Sequence, residues 1–140
     1  MIINTSDYSI VSSPPKLEDY IRLRAITGLS TKAVEEARIG LRNTWFGVHV
    51  VHEGETIGMG RIIGDGGCFF QVVDIAVLPK HQGNGLGKRI IAALMEHFET
   101  NAPGSAYISL IADGKAKLLY SQFGFKPTAP ASIGMWRKKA

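Results

Sequence analysis

Val73-Asp74-Ile75-Ala76-Val77-Leu78-Pro79-Lys80-His81-Gln82-Gly83-Asn84-Gly85-Leu86-Gly87-Lys88-Arg89 is the stretch whose reading decides the fold. An apolar run of strand character passes through a glycine-rich turn into a helical pattern that starts near Leu86. Gly83, Gly85 and Gly87 remove the Cβ atoms that would hold a ligand off the main chain, and they allow positive φ in a tight turn. The first four N–H groups of the helix lack intrahelical partners and carry the positive end of its dipole, so a phosphate is a natural occupant. Lys88 and Arg89 in a first turn oppose that dipole by about 0.3–1 kcal/mol each, a cost that a bound polyanion reverses. The plainer reading is a strand-to-helix turn with two solvated cations.

Outward from this stretch, Tyr8 to Ser12 reads as a first strand, and Ser13-Pro14-Pro15 reads as the cap and first turn of a helix. Leu17, Ile21 and Ala25 form its apolar stripe, with Tyr20 and Leu29 alongside, and Gly28 ends it. A second helix spans Ala33 to Ile39, with Glu35 and Glu36 near its start, and closes between Gly40 and Asn43. From Thr44 the period becomes two: a hairpin turns at Glu53-Gly54, a second turn falls at Gly64 to Gly67, and a third strand runs from Cys68 to Leu78. His49 and His52 stand three apart on a strand, so they face opposite sides, read as sheet-surface residues and share no metal. Leu86, Ile90, Leu94 and Phe98, with Ile91 and Met95, make a full helical stripe. The next strand is Tyr107 to Ala112; a crossover of this kind is right-handed and makes its two strands parallel. A short helix from Lys115 to Phe123 closes at Gly124, and one or two strands broken by Pro127 and Pro130 follow. The expected class is α/β with a mixed sheet: an antiparallel meander joined to a parallel βαβ pair, with helices on both faces.

The 140 residues suit one domain, 1–140, with a single core. No apolar run approaches eighteen residues and Met1 to Tyr8 lacks a signal-peptide pattern, so a cytoplasmic protein without a membrane partner is expected. Cys68, the only cysteine, excludes an intrachain disulfide and reads as a small buried hydrophobe. The formal charge of +4 includes the terminal Arg137-Lys138-Lys139. No nucleic-acid-binding motif accompanies it, and no nucleic-acid partner is expected.

Spacing narrows the anion. The pattern G-x-x-x-x-G-K-[ST] fails because Arg89 follows Lys88, and G-x-G-x-x-G fails because Lys88 stands third after Gly85. Gln82-Gly83-Asn84-Gly85-Leu86-Gly87 instead resembles the Q/R-x-x-G-x-G/A loop of the GNAT superfamily, the acyl-coenzyme A dependent N-acyltransferases. Asp113 to Phe125 resembles that family's segment ending Y-x-x-x-G-F, with Tyr120, Gly124 and Phe125 in place. The specific likeness runs from Arg61 to Phe125.

The resemblance implies a GNAT-like fold and transfer of the acetyl group of acetyl-coenzyme A to an amine, leaving coenzyme A. It implies a pyrophosphate on Gln82, Gly83, Asn84, Gly85, Leu86, Gly87 and Lys88, and a pantetheine arm pairing with the main chain of Ile75, Ala76 and Val77 between splayed strands. An N–H of Val77 or Ile75 would face the oxygen that gains charge, and Tyr120 would give a proton to the departing thiolate. The alternative for Tyr120 is packing under the last strands. Lys115 stands where the family often has asparagine; its contact with the coenzyme would be to a phosphate. Asp74 is the candidate base, the alternative being a structural carboxylate bonded to a turn or to Arg61. No metal is called for. The acceptor is a small-molecule or protein amine, Tyr20, Arg24, Trp45, Phe46, Phe70 and Met135 are candidate pocket residues, and a homodimer is compatible with the class. The rival function is a non-catalytic acyl-coenzyme A binding or sensing module.

Overall fold

The computed structural model describes residues 7–139. Its elements run β1 (Ser9–Val11), α1 (Leu17–Thr27), α2 (Val34–Arg42), β2 (Phe46–His52), β3 (Glu55–Gly64), β4 (Phe69–Val77), α3 (Leu86–Asn101), β5 (Tyr107–Ser109) and α4 (Ala116–Ser121), with a 3-10 turn at Pro79–His81. The strands form one mixed sheet in chain order: β1 through β4 pair antiparallel, and β5 joins β4 in parallel. The chain divides into two compact units at Leu110/Ile111, the first carrying the whole sheet with α1, α2 and α3, the second carrying α4. Among the described residues no helix is long and apolar enough to cross a membrane.

The β2–β3 hairpin closes on Glu53 and Gly54 at φ 50 and 78, the left-handed pair that lets a two-residue turn follow strand twist. On α3 the stripe Leu86, Ile90, Ile91, Leu94, Met95 and Phe98 is buried, as its period requires. It lies close on the sheet because β3 offers no side chain at Gly60, where a Cβ would stand 2.6 Å from Ile90 and 2.7 Å from Ile75. Arg61, the next residue, points to the opposite face and bonds Gly40 and Thr44 at the end of α2. Helices therefore cover both faces.

Four expectations need correction. The buried face of α1 is Tyr20, Leu23 and Arg24, while Ala25 is exposed; a stripe drawn through apolar residues misses a buried arginine. α1 starts after Lys16 rather than on the prolines, because a residue preceding proline is pushed out of the helical region and Ser13 and Pro14 both precede one. Cys68 is exposed, since it stands at the mouth of the β3–β4 turn rather than in the core. Residues 125–139 form no strand; Pro127 and Pro130 withhold ladder donors there, and Ile133, Met135 and Trp136 lie exposed.

β4 carries the feature that positions the site. Met59 pairs with Ala76 and Arg61 with Val73, so Asp74 and Ile75 together stand opposite Gly60, a bulge that bends the strand. Pairing with β5 stops at Gln71 and Ser109, whereas β4 continues to Val77. The parallel strands thus part beyond Gln71. Gly60→Val should overfill the contact with Ile90 and Ile75 and cost about 1–3 kcal/mol. Denaturant midpoints check this, and an unchanged midpoint would show that α3 does not sit close to β3.

Candidate active site

The main chain of β4 comes first. Leu78 N–H donates to Ile57 C=O at 2.8 Å, and alternate residues of a strand turn their polar groups to opposite edges. Val77 therefore presents N–H and C=O to the edge that β5 has left, while Ile75 belongs to the bulge, where that alternation is interrupted. Ala76 turns its main chain toward Met59 and is not brought to that edge. Gln82 Nε2 donates to Val77 C=O at 3.0 Å, tying the start of the glycine loop to the end of the strand.

The loop is built to leave N–H groups bare. Gly83 and Gly85 sit at φ 83 and 74, a conformation that costs an L residue roughly 1–2 kcal/mol. A Cβ on either would meet nothing within 4 Å, so these glycines answer to backbone shape and leave open space in front of it. Asn84 Nδ2 donates to His81 C=O at 3.0 Å and braces the turn from within. Gly85 is the N-cap of α3 and supplies no side-chain cap. Arg89 N–H to Gly85 C=O, at 3.1 Å, is the first bond of the helix, so Leu86, Gly87 and Lys88 precede it with their N–H groups at the positive end of the dipole. Lys88 is exposed beside them. This donor set fits a pyrophosphate.

Asp74, at φ 60, lies in a closed ionic cluster. Its Oδ1 accepts from Arg24 Nη1 at 2.5 Å, and its Oδ2 accepts from Tyr20 O–H at 2.6 Å and Arg61 Nε at 2.9 Å. Arg24 donates further to Ser30 and to Tyr20 Oη, and Arg61 to Gly40 and Thr44. Burial first, then the bond to Asp74, raises the Tyr20 phenol above its usual 10. Of the two readings of Asp74, the geometry favours the structural carboxylate bonded to Arg61: taking a proton would mean surrendering buried guanidinium partners.

In the second unit Lys115 is exposed just before α4. Tyr120 is half-buried on that helix with its ring 6.2 Å from Phe125. Burial, and after it the charge of Asp113, raises the phenol above 10, so it holds its proton at neutral pH. The candidate pocket residues are not gathered in one place. Trp45, Phe46 and Phe70 pack with His97 and Phe98 on the α3 face, Tyr20 and Arg24 belong to the other face, and Met135 is 84% exposed. His49 bonds Ser13 C=O, and His52 is no plain surface residue, for it packs against Tyr8 and His81. The Asp74–Arg61 pair was one of the expected alternatives, whereas the part of Arg24 in the cluster and the Tyr8–His81 contact were not expected from sequence. One signal for the cluster was present: Arg61 interrupts Thr56 to Ile63, a run otherwise of glycine, threonine and apolar residues.

The Acetyltransferase (GNAT) domain family matches residues 44–127, more than half of the chain. The chain belongs to the GNAT acetyltransferase family. A crystal structure from meticillin-resistant Staphylococcus aureus, of a protein of unknown function and probable acetyltransferase, shares 45% identity over 94% of this chain and 99% of its own, with a TM-score of 0.88. A GNAT-family acetyltransferase of Streptococcus pneumoniae has the same fold at 23% identity, covering 95% and 99% of the two chains with a TM-score of 0.78. A Gibberella zeae protein with an acetyltransferase name is 32% identical over 76 residues, 54% of this chain and 42% of the relative, so the match spans less than half of that protein.

In this GNAT chain Asp74→Asn would leave two guanidinium groups, each with a side chain 8% exposed, without their shared anion. Breaking a buried pair in this way costs about 3–5 kcal/mol. Thermal and denaturant midpoints should fall accordingly; wild-type midpoints would mean that the cluster does not brace β4.

Proposed function

We propose that this GNAT domain transfers the acetyl group of acetyl-coenzyme A directly to a neutral amine, and that residues 1–140 work as one catalytic domain. One observation carries the reading: the edge of β4 that β5 leaves open leads into a loop whose glycines and capless helix start expose consecutive N–H groups. The bound coenzyme supplies an activated thioester.

The roles follow from the main chain. Gln82 and Asn84 hold the loop in shape, Gly83 and Gly85 admit the pyrophosphate to the backbone, and the N–H groups of Leu86, Gly87 and Lys88 bind it, with the ammonium of Lys88 alongside. Lys115 adds a second cation for a phosphate. Val77 and Ile75 pair with the pantetheine amides through the open edge, and one of their N–H groups faces the thioester oxygen as it gains charge; donors fixed in this way are worth about 10²–10³ in rate. Tyr120 supplies the proton for the departing thiolate. Asp74 acts as a brace, and the proton of the attacking amine passes to water. The acceptor is a small-molecule or protein amine. Thiol release from acetyl-coenzyme A across a panel of amines tests the class; coenzyme binding with no release for any amine would instead make the domain a binding module.

Gly85→Val places a branched side chain at φ 74 and should weaken coenzyme A binding at least about tenfold, equivalent to ~1.4 kcal/mol. Calorimetry reads this directly, and wild-type affinity would remove the loop from the site. Tyr120→Phe keeps the ring and deletes the O–H, so coenzyme affinity should persist while single-turnover rates fall about 10²–10⁴-fold, roughly 3–5 kcal/mol of transition-state stabilisation. A wild-type single-turnover rate would leave Tyr120 as a packing residue.

A further inference from the structure

We propose that Tyr8 and His52 hold the ring of His81 in a closed well, that this well fixes the turn from which the coenzyme loop departs, and that protonating His81 weakens coenzyme binding. The inference rests on the acetyl-coenzyme A reading above and assigns positioning residues to it.

His81 is 6% exposed and Tyr8 2%. Tyr8 O–H and His81 Nδ1 share a hydrogen bond of 2.9 Å. The His52 ring lies 4.7 Å from Tyr8 and 5.0 Å from His81, centre to centre. His52 Nδ1 lies 3.2 Å from Asp7 C=O; since a carbonyl only accepts, that nitrogen carries the hydrogen. The main chain of His81 belongs to the loop's foundation. Its N–H donates to Leu78 C=O at 2.9 Å, and its C=O accepts from Asn84, the residue between the two left-handed glycines. A shift of the ring therefore shifts the carbonyl that braces the loop.

The groups facing His81 are Tyr8 ahead of β1, His52 at the end of β2, Glu53 in the hairpin, Glu55 at the start of β3 and Lys80 in its own turn. Burial first, then His52 and Lys80, holds the His81 pKa below the usual 6.5, with Glu55 and Glu53 pulling the other way. An opened or unfolded state takes up the proton near 6.5, whereas the closed well resists it to lower pH. The closed well is therefore most stable above that value and loses stability as pH falls through the folded-state pKa.

The test is calorimetry with coenzyme A from about pH 8 down to about pH 5.5, spanning the imidazole range. Tyr8→Phe keeps the packing and deletes the O–H, so it should weaken binding about three- to tenfold at the upper pH, raise KM for acetyl-coenzyme A and leave kcat in place. The coenzyme's phosphomonoester also changes charge near pH 6, so the readout for protonation is a difference: His52→Gln, whose His81 takes up its proton at higher pH, should lose more affinity on acidification than wild type. Imidazole titration by NMR gives a second arm, independent of the coenzyme, in which His52→Gln should raise the pH at which His81 titrates. This arm also stands if Tyr8→Phe fails to fold. Wild-type affinity in Tyr8→Phe, the same acid loss in His52→Gln, or an unmoved His81 titration each overturns the proposal while leaving the coenzyme site standing. Failure of wild type to bind coenzyme A at pH 8, or wild-type binding by Gly85→Val, overturns the coenzyme reading and this inference with it.

Discussion

Asp74 occupies a backbone conformation that L residues avoid, and it does so in mid-strand at a bulge. Asp is among the few side chains that tolerate it, at a cost of roughly 1–3 kcal/mol for such positions. What over-determines the conformation is its carboxylate, which two buried guanidinium groups share. Buried arginines demand partners for every donor, and these bring the α1–α2 connection through Ser30 and the end of α2 through Gly40 to the same place. Among the described residues no buried side-chain nitrogen or oxygen lacks a hydrogen-bond partner. One strained residue in β4 is thereby linked to α1, α2 and β3. Because a bulge bends its strand, the same residue accompanies the departure of β4 from β5.

This explains which parts of the molecule could be read from sequence. The α3 stripe, the Glu53-Gly54 hairpin and the glycine loop write their geometry into residue type, through period or through the need for positive φ, and each is found where its pattern puts it. The α1 face failed because its burial rests on Arg24, and the partner that makes that burial tolerable lies in β4, far along the chain. The bulge was invisible for a related reason. Nothing in the run from Val73 to Val77 announces an extra residue; only the register against Gly60 reveals it. The loop proposed to hold the coenzyme was legible because its main-chain geometry needs glycines and a helix start, which are sequence signals. The acceptor half was not, since the aromatic residues that suggested a pocket are divided between the two faces of the sheet.

The open edge of β4 raises a mechanical question. Val77 faces an edge where β5 has ended, and strand segments without a neighbour on one side are ordinarily the looser parts of a sheet. Donors that are to meet developing charge must already be in place. The structure restrains this segment from its ends rather than from its side. At one end, the Asp74 cluster fixes the bulge with paired charges that are further hydrogen-bonded to Ser30, Gly40 and Thr44. At the other, Gln82 caps Val77 C=O, and Tyr8 and His52 enclose the ring of His81 in the turn that follows. The two restraints differ in kind. The guanidinium–carboxylate cluster pairs opposite charges, whereas burial disfavours a charge on His81 in the phenol–imidazole well. The bulge is thus anchored electrostatically and the loop by neutral packing and hydrogen bonding.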